Sequence, residues 1–401
     1  MVGRKDEKGG AKQPTVTKET VLEALSAVQD PELGRDLVSL NMIRDVAVRD
    51  GAVKFTLVLT TMACPLQGRI RDEARAAVMR VPGIERVEIV LAADTPRSGA
   101  PRAGAPRAST SNAGERVGEV LLQDLLPTVR NAIAVASGKG GVGKSTVATN
   151  IAVALAQAGA NVGLLDADVY GPSIPTMMGV HDQPQVAKDG MIIPIRKYGM
   201  EIMSIGFIID ERQSVIWRGP MVAKMIQQFL AGVVWGDLDY LIIDLPPGTG
   251  DTQLTLTQSV PLAGGLIVST PQAVALADVR RGVVMFQKVD VPILGVIENM
   301  STFICPNCGH EEHIFDHGGA RKEAEKLGVP YLGEIPIDLA VREGGDAGVP
   351  IVISHPDSPV SAAFRRIAGE MAAKISVRNL DERRAERGQP AGNRKELPLI
   401  K

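Results

Sequence analysis

The sequence has 401 residues, of which 45% are hydrophobic and 22% charged, as is typical of a globular protein with two or three domains. Its 44 basic and 46 acidic residues nearly balance, which argues against nucleic acid as a main partner. No run approaches the roughly 18 apolar residues of a membrane-spanning helix, and the N-terminus lacks the apolar core of a signal peptide. We therefore expect a cytoplasmic protein with no membrane partner.

A small α/β unit is predicted near the start of the chain. Thr17 is a favourable N-cap for a first helix, and Asp50-Gly51, between two alternating strands, favours a tight hairpin. A second helix with one apolar face and a last strand follow. We predict that this unit covers residues 17–92, after a disordered segment at residues 1–16.

Residues 93–116 consist mainly of Pro, Gly, Ala, Ser and Arg, which predicts a flexible linker. Beyond it, over residues 117–377, continuous apolar runs such as AIAVAS and YLIID alternate with segments of helical length. This pattern is typical of an α/β domain with a mainly parallel sheet that helices cover on both faces. Residues 378–401 are charged and have no apolar stripe, so we expect a frayed tail.

A phosphate-binding loop is the strongest motif in the larger domain. The segment SGKGGVGKST follows a buried strand, opens a helix and matches the G-x-x-x-x-G-K-[ST] pattern of a P-loop. Its glycines let backbone N–H groups converge on phosphate oxygens, Lys144 reaches the β- and γ-phosphates of ATP, and Ser145 can bind Mg²⁺. The residues predicted to hold the nucleotide are Gly138, Lys139, Gly140, Gly141, Val142, Gly143, Lys144, Ser145 and Thr146.

Carboxylates stand at the ends of two predicted strands. Asp166 and Asp168 come at the end of NVGLL, and Asp244 ends YLIID. In such sheets the carboxyl ends of parallel strands face the ligand. Phosphoryl transfer needs carboxylates that hold hydrated Mg²⁺ and orient the attacking water. We predict that Asp168 orients this water, that Asp244 supports the Mg²⁺, and that Asp166 assists either of them.

A further lysine, Lys139, stands near the start of the P-loop. The segment KGGVGKS resembles the deviant Walker A motif of the MinD, ParA and nitrogenase iron-protein class of P-loop NTPases. The resemblance implies that Lys139 contacts nucleotide bound by a second subunit in a homodimer that encloses ATP, and so takes part in catalysis with Lys144. Taken alone, the residue is also compatible with a solvated lysine.

Asn299, at the end of ILGVIENM, is a candidate for binding the nucleotide base because an amide offers both a donor and an acceptor. It is equally suited to capping a turn. In the class that the P-loop resembles, the segments that correspond to Asn299, Pro336 and Asp338 face the base. The resemblance therefore predicts that these three residues bind it.

Cys305 and Cys308 form a C-x-x-C pair, whose thiolates can bind one metal or cluster but supply only two ligands. Three explanations stay open. Histidines downstream could complete a zinc site in the same chain, a second chain could provide the missing ligands, or the pair could form a redox disulfide. The histidines concerned are His310, His313 and His317.

Four motifs in order, KGGVGKS, LLDADVYGPS, DLPPGTGD and ENMSTFICPNCG, resemble the Mrp-type or ApbC-type iron–sulfur cluster carrier ATPases over residues 120–375. The resemblance implies a homodimer in which each chain gives Cys305 and Cys308 to one bridging [4Fe–4S] cluster. Asp316 departs from the family pattern, in which glycine is more usual at that position.

The small unit resembles the iron–sulfur assembly domain that is often fused to these carriers, through its segments DPE, LNMI and TTMACP. Cys64 lies in the last of these segments, just before a predicted helix. At that place it is either an exposed, acidified thiol or a buried apolar cysteine.

The sequence is thus interpreted as an ATP-hydrolysing carrier that receives a [4Fe–4S] cluster from a scaffold protein and passes it to apo-proteins, with ATP and Mg²⁺ as cofactors. One alternative is a MinD-like or ParA-like positioning ATPase, although the tail lacks an amphipathic helix and the composition lacks a basic surface. A nitrogenase-like reductase is disfavoured because no cysteine follows either strand-end segment. The remaining alternative is a nucleotide-binding zinc protein.

Overall fold

The computed structural model describes the chain over residues 16–31, 34–59, 67–93, 125–208, 219–258, 260–305 and 307–386. The chain divides near residue 94 into two compact units. All but the last residue of the predicted disordered start, and all but the first residue of the predicted linker, lie outside the described residues.

The small unit begins with a helix that its sequence caps. The Thr17 hydroxyl accepts a hydrogen bond from the Thr20 backbone N–H at 3.4 Å. Asp50 and Gly51 have φ values of +46° and +73°, which suit the type I′ turn of a tight hairpin. The described elements are α1 (Lys18–Ser26), β1 (Gln29–Asp30), β2 (Arg35–Asp36), β3 (Ile43–Arg49), β4 (Ala52–Leu59), α2 (Gln67–Met79) and β5 (Arg86–Ala93).

A single apolar cluster holds this unit together. β4 lies between β3, to which it is antiparallel, and β5, to which it is parallel. The helices contribute Leu25 from α1 and the stripe of Ile70 and Val78 from α2 to the same core. Phe55 of β4 is completely buried there, and an aromatic ring of this size removes a large apolar area from water.

The large unit alternates strands and helices as predicted. Its described elements are β6 (Val129–Ala136), α3 (Lys144–Gln157), β7 (Val162–Asp166), α4 (Ile174–Met178), β8 (Gln185–Val186), β9 (Ile192–Ile193), β10 (Ile195–Lys197), β11 (Met200–Ser204), α5 (Gly219–Gly232), β12 (Leu238–Asp244), α6 (Asp251–Gln258), β13 (Leu262–Ser269), α7 (Ala273–Lys288), β14 (Ile293–Ile304), β15 (Glu311–Glu312), α8 (Gly319–Leu327), β16 (Tyr331–Ile337), α9 (Leu339–Ala347), α10 (Ile351–Ser354) and α11 (Pro359–Glu386).

The main sheet has the strand order β10-β11-β7-β12-β6-β13-β14, and both β15 and β16 pair with β14. Among the described strands of this sheet, β10 and β15 are antiparallel to their neighbours and the others run parallel. Helices flank the sheet, with α3 against β6, β7 and β12, and α7 against β13 and β14. The predicted α/β class with a mainly parallel sheet is confirmed.

The strand register places the predicted carboxylates beside the P-loop. Asp244 at the end of β12 pairs with Asp166 at the end of β7 and, on its other side, with Val135 near the end of β6. The P-loop follows β6 directly and leads into α3. All three features therefore meet at the carboxyl edge of the sheet, where ligands bind in open α/β folds.

The C-terminal part of the domain differs from the sequence prediction. Helix α11 continues to Glu386, so residues 378–386 are helical rather than frayed. Asn379 is buried and donates from Nδ2 to Oδ1 of Asn131 in β6 at 2.9 Å. The residues after Asn379 are good helix formers, which favours continuation of the helix. The hydrogen bond to Asn131 holds this part of the helix on the domain, where an apolar stripe would usually do so.

Replacing Phe55 by Ala tests whether the two units are stabilised separately. Removal of this buried ring should cost about 3–5 kcal/mol and lower the unfolding midpoint of the small unit. The matched change Phe286→Ala, at a fully buried ring of α7, should act on the large unit instead. Differential scanning calorimetry of the whole chain should resolve the two transitions. A single transition that both variants shift equally would contradict the division into two units.

Candidate nucleotide site and cysteine hairpin

The P-loop has the backbone geometry that phosphate binding requires. Gly141 and Gly143 adopt φ values of +81° and +79°, which glycine reaches without strain. Gly143 is the N-cap of α3 and has no side chain to occupy the first N–H groups of the helix. The Ser137 hydroxyl donates to the Lys139 carbonyl at 3.0 Å and so fixes the start of the loop. The loop thus directs backbone N–H groups and a helix N-terminus toward one point.

Helix α7 packs directly on the start of this loop. A Cβ atom at Gly138 would lie only 2.0 Å from Cβ of Asp278, so only glycine fits at this position. Asp278 is nearly buried and pairs with Arg281 at 2.7 Å. Sequence reasoning missed Asp278, because nothing in the pattern of α7 indicates that this turn faces the P-loop.

A buried ion pair lies beneath the P-loop. Lys144 Nζ is 2.6 Å from Asp244 Oδ1 and 4.0 Å from Asp168 Oδ2, and its side chain is only 6% exposed. The same ammonium group is 3.3 Å from the Ser145 hydroxyl. The Asp244 carboxylate therefore balances the charge of the lysine that the sequence predicts to bind the phosphates.

Asp166 is completely buried, and its oxygens hold the following loop. Oδ1 accepts from the Asp168 backbone N–H at 3.1 Å, while Oδ2 accepts from the Ile174 N–H at 3.2 Å and from the Ser204 hydroxyl at 3.0 Å. Burial, together with the charge of Asp244, raises the pKa of Asp166 to about 7. The sequence predicts that Asp166 assists catalysis, whereas its contacts in the structure hold the following loop in place.

Asp168 and Asp244 retain oxygen atoms that can serve a ligand. Asp168 is 12% exposed at its side chain, and burial raises its pKa. Oδ2 of Asp244 is buried and, among the described residues, has no hydrogen-bond partner. A buried carboxylate oxygen without a donor is costly unless a ligand satisfies it. The residues predicted for Mg²⁺ therefore fit a hydrated cation, with Ser145 close by.

Asn299 lies against the P-loop. Its Nδ2 donates to the Val142 carbonyl at 2.8 Å, and a Cβ atom at Gly143 would lie 2.3 Å from the same nitrogen. The side chain is buried, at 7% exposure. The side-chain nitrogen of Asn299, which is predicted to bind the base, is thus hydrogen-bonded to the P-loop.

The other two residues predicted to bind the base differ in position. Pro336 follows Ile335, which pairs with Asn299 across β14 and β16. Asp338 is the N-cap of α9, and its Oδ1 accepts from the Ala340 backbone N–H at 2.9 Å. This carboxylate therefore caps a helix, a role the sequence analysis did not assign to it.

Cys305 and Cys308 lie in a tight hairpin between β14 and β15. The Cys305 N–H donates to the His310 carbonyl at 2.9 Å, and the Gly309 N–H donates to the Cys305 carbonyl at 2.8 Å. Cys305 is half-buried and Cys308 is exposed. Backbone N–H groups of Asn307 and Cys308 lower the pKa of the Cys305 thiol, which favours the thiolate that metals and clusters bind.

The histidines near this hairpin do not join the cysteines. His310 is 3.4 Å from Glu312, His313 stacks on His317 at 4.7 Å, and His317 Nε2 lies 2.9 Å from Glu334. Within the described residues, the group whose ligand atoms lie within 4.8 Å of one another is Glu298, His317 and Glu334. Neither cysteine belongs to such a group of three, so the described chain does not assemble the Cys2His2 zinc site considered above.

Asp316 occupies the position where the sequence departs from the resembled family. Its φ of +76° lies in the left-handed region, which glycine enters most easily and which aspartate tolerates better than most residues. Oδ1 of Asp316 accepts from the His317 backbone N–H at 2.8 Å and stabilises this turn. Cys64 lies outside the described residues.

Removing Lys144 should destabilise the nucleotide-free protein. Lys144→Ala leaves the buried Asp244 carboxylate without its partner, which should lower the free energy of unfolding of the large unit by about 3–5 kcal/mol. Lys139→Ala is the matched control, because this partly exposed lysine has no ion pair within the described structure. Urea unfolding without nucleotide measures both. Lys144→Ala with Asp244→Asn should recover most of the loss, and equal stability of the two lysine variants would contradict the ion pair.

Comparison with known proteins supports the motif-based resemblance. The family model described as NUBPL iron-transfer P-loop NTPase matches residues 128–372, and the model described as iron–sulfur cluster assembly protein matches residues 18–90. No described helix is long and apolar enough to cross a membrane.

Similar proteins span almost the whole chain. The iron–sulfur cluster carrier protein of Synechocystis is 51% identical over 90% of this chain and 99% of its own length, and that of Escherichia coli K12 is 41% identical over 92% and 95%. The structure of a nucleotide-binding protein from Archaeoglobus fulgidus in complex with ADP is 41% identical and covers 57% of this chain and 92% of its own, with a TM-score of 0.51. The chain belongs to the NUBPL family of iron-transfer P-loop NTPases.

Proposed function

We propose that this protein is an ATP-hydrolysing carrier that holds a [4Fe–4S] cluster between two copies of the chain and delivers it to recipient proteins. The observation that carries the proposal is the hairpin of Cys305 and Cys308, which presents two thiols and no third ligand from the described part of its own chain. Relatives at 41–51% identity are named iron–sulfur cluster carriers, which supports the same function.

Ligand number argues for a shared cluster. A [4Fe–4S] cube is held by four thiolates, and each chain supplies two at this hairpin. A two-fold axis that passes between two hairpins would bring the four together. Ile304 and Ile314, which flank the hairpin, are 43% and 53% exposed and could be covered in such a contact. The cluster is the cargo, so an exposed hairpin also lets recipient thiols reach it.

The nucleotide would replace the internal partner of Lys144. ATP phosphates at the P-loop offer this ammonium group stronger charges than Asp244 does, so Lys144 turns to them. Ser145 and Asp244 would hold Mg²⁺, which neutralises charge on the phosphates. Asp168, beside the same lysine, would orient the attacking water, and Asp166 would keep the loop of Asp168 in place. We assign Lys139 to the nucleotide of the second copy.

Two other functions are less well supported. A zinc protein would need further ligands beside Cys305 and Cys308, and the described histidines pair elsewhere. A positioning ATPase shares the fold, but that function does not explain the cysteine hairpin. The carrier also needs reduced thiols and a source of clusters, so we place it in the cytoplasm, between a scaffold protein and recipient apo-proteins.

Changing Asp168 to Asn tests the hydrolysis step. The amide keeps the size of the side chain but cannot accept a proton or orient water as the carboxylate does, so turnover should fall by about 10²-fold or more. ATP binding should persist, because Lys144 and the P-loop backbone are unchanged. Steady-state phosphate release measures turnover, and titration calorimetry with MgATP measures binding. Unchanged turnover would exclude Asp168 from the reaction.

Cysteine variants test the shared cluster. Cys305→Ser or Cys308→Ser removes two of four ligands from a dimer, so anaerobic reconstitution should yield no stable cluster, whereas Cys64→Ser should load as the wild type does. Iron and sulfide analysis with size-exclusion chromatography should give about two irons per chain and a dimer for the loaded protein. ATP hydrolysis should survive in part, since neither thiol acts on phosphate. A cluster on a monomer, or stoichiometric zinc instead of iron, would contradict the proposal.

A further inference from the structure

Strand β14 connects the P-loop with the cysteine hairpin. Asn299, in this strand, donates to the Val142 carbonyl at 2.8 Å, and Cys305 follows only six residues later. Met300 packs on the same side, since its Cε would lie 3.8 Å from a Cβ atom at Gly143. At about 3.3 Å per residue in a strand, the backbone from Asn299 to Cys305 spans at most about 20 Å.

The hairpin also returns to this strand. Glu298 is fully buried, and its two oxygens accept from the backbone N–H groups of Gly318 at 2.8 Å and of Ala320 at 2.6 Å. Successive side chains of a strand point to opposite faces, so Glu298 and Asn299 reach in opposite directions. The excursion over residues 300–317, which contains both cysteines, is therefore fixed at its two ends beside the residue that contacts the P-loop.

The backbone at the base of this excursion is irregular. Met300 has a φ of +57°, which is uncommon for a residue with a side chain, and the pairing of β14 with β16 shifts register between Asn299 and Phe303. Such a conformation is strained and persists only where surrounding contacts enforce it. A change in the hydrogen bond of Asn299 therefore alters one of the contacts that enforce this strained conformation.

One peptide unit links this strand to the nucleotide. The Val142 carbonyl and the Gly143 N–H belong to the same planar trans peptide, so they point in opposite directions. The carbonyl accepts from Asn299, so the N–H of the same peptide points away from Asn299. In a P-loop, backbone N–H groups of this segment cradle phosphate. A phosphate that draws this N–H toward itself must turn the carbonyl, and hydrogen bonds in such a chain polarise one another.

We propose that Asn299, with Glu298 beside it, is the positioning element through which nucleotide in the P-loop changes the exposure and reactivity of Cys305 and Cys308. Neither residue touches the cysteines, so both act through the backbone of the excursion. Any effect of this coupling on cluster loading and release rests on the proposed function. The coupling itself is a property of the single, cluster-free chain.

Thiol alkylation of the cluster-free, full-length protein tests the coupling. The rate of iodoacetamide modification of the peptide that contains Cys305 and Cys308 is followed by mass spectrometry, without nucleotide and with saturating MgADP. We use ADP because it fills the P-loop and leaves the γ-phosphate position empty. In the wild type MgADP should change the rate by about threefold or more, the scale of one hydrogen bond.

Two variants and one control decide the outcome. Asn299→Ala, saturated with MgADP as verified by calorimetry, should lose the response, and Glu298→Gln, which leaves the Val142 contact intact, should weaken it. Asn150→Ala should keep it, because Asn150 makes a similar buried bond to the Thr146 carbonyl at 2.9 Å but does not belong to β14. These rates require no cluster, so a failure to load clusters would count against the proposed function alone.

An alkylation rate that MgADP leaves unchanged in the wild type would overturn the inference. A full response of this rate in Asn299→Ala would overturn it as well. If Asn299→Ala cannot be saturated with MgADP, Glu298→Gln decides the matter, and an undiminished response there would also overturn it. Loss of the response in Asn150→Ala as well would show a general softening of the domain, which contradicts a route through β14.

Discussion

The ion pair between Lys144 and Asp244 is the interaction on which the nucleotide site depends. It joins the first turn of α3 to the end of β12, and it is buried almost completely. Two desolvated charges at 2.6 Å are stable only because each satisfies the other. The fold thus holds the lysine at the carboxyl edge of the sheet, beside the P-loop glycines.

Much of this arrangement could be predicted from the sequence. The P-loop, the strand-end carboxylates and the cysteine pair are short local patterns whose chemistry is contained in their residue types, and the parallel sheet follows from long apolar runs. The partners of these groups could not be predicted in the same way. That Asp244 neutralises Lys144, that Asp278 lies against Gly138 and that Asp166 anchors a loop are contacts between residues far apart in the chain.

The end of the domain shows a second limit of sequence reasoning. Charged residues after position 377 indicated a tail, because charge without an apolar stripe usually means solvent exposure on all sides. The structure instead extends α11 to Glu386 and anchors it through a side-chain bond between Asn379 and Asn131. One buried amide pair leaves no periodic signal in the sequence, so this contact could not be predicted from it.

The carboxylates around Lys144 bear on which form of the nucleotide the proposed carrier would bind. Asp168 and Asp244 place two carboxyl groups within 4.0 Å of the single buried lysine, and Oδ2 of Asp244 has no hydrogen-bond partner among the described residues. Free ATP would meet repulsion there, whereas a nucleotide that arrives with its own divalent ion offsets it. We therefore expect the magnesium-bound nucleotide to bind here in preference to the free nucleotide.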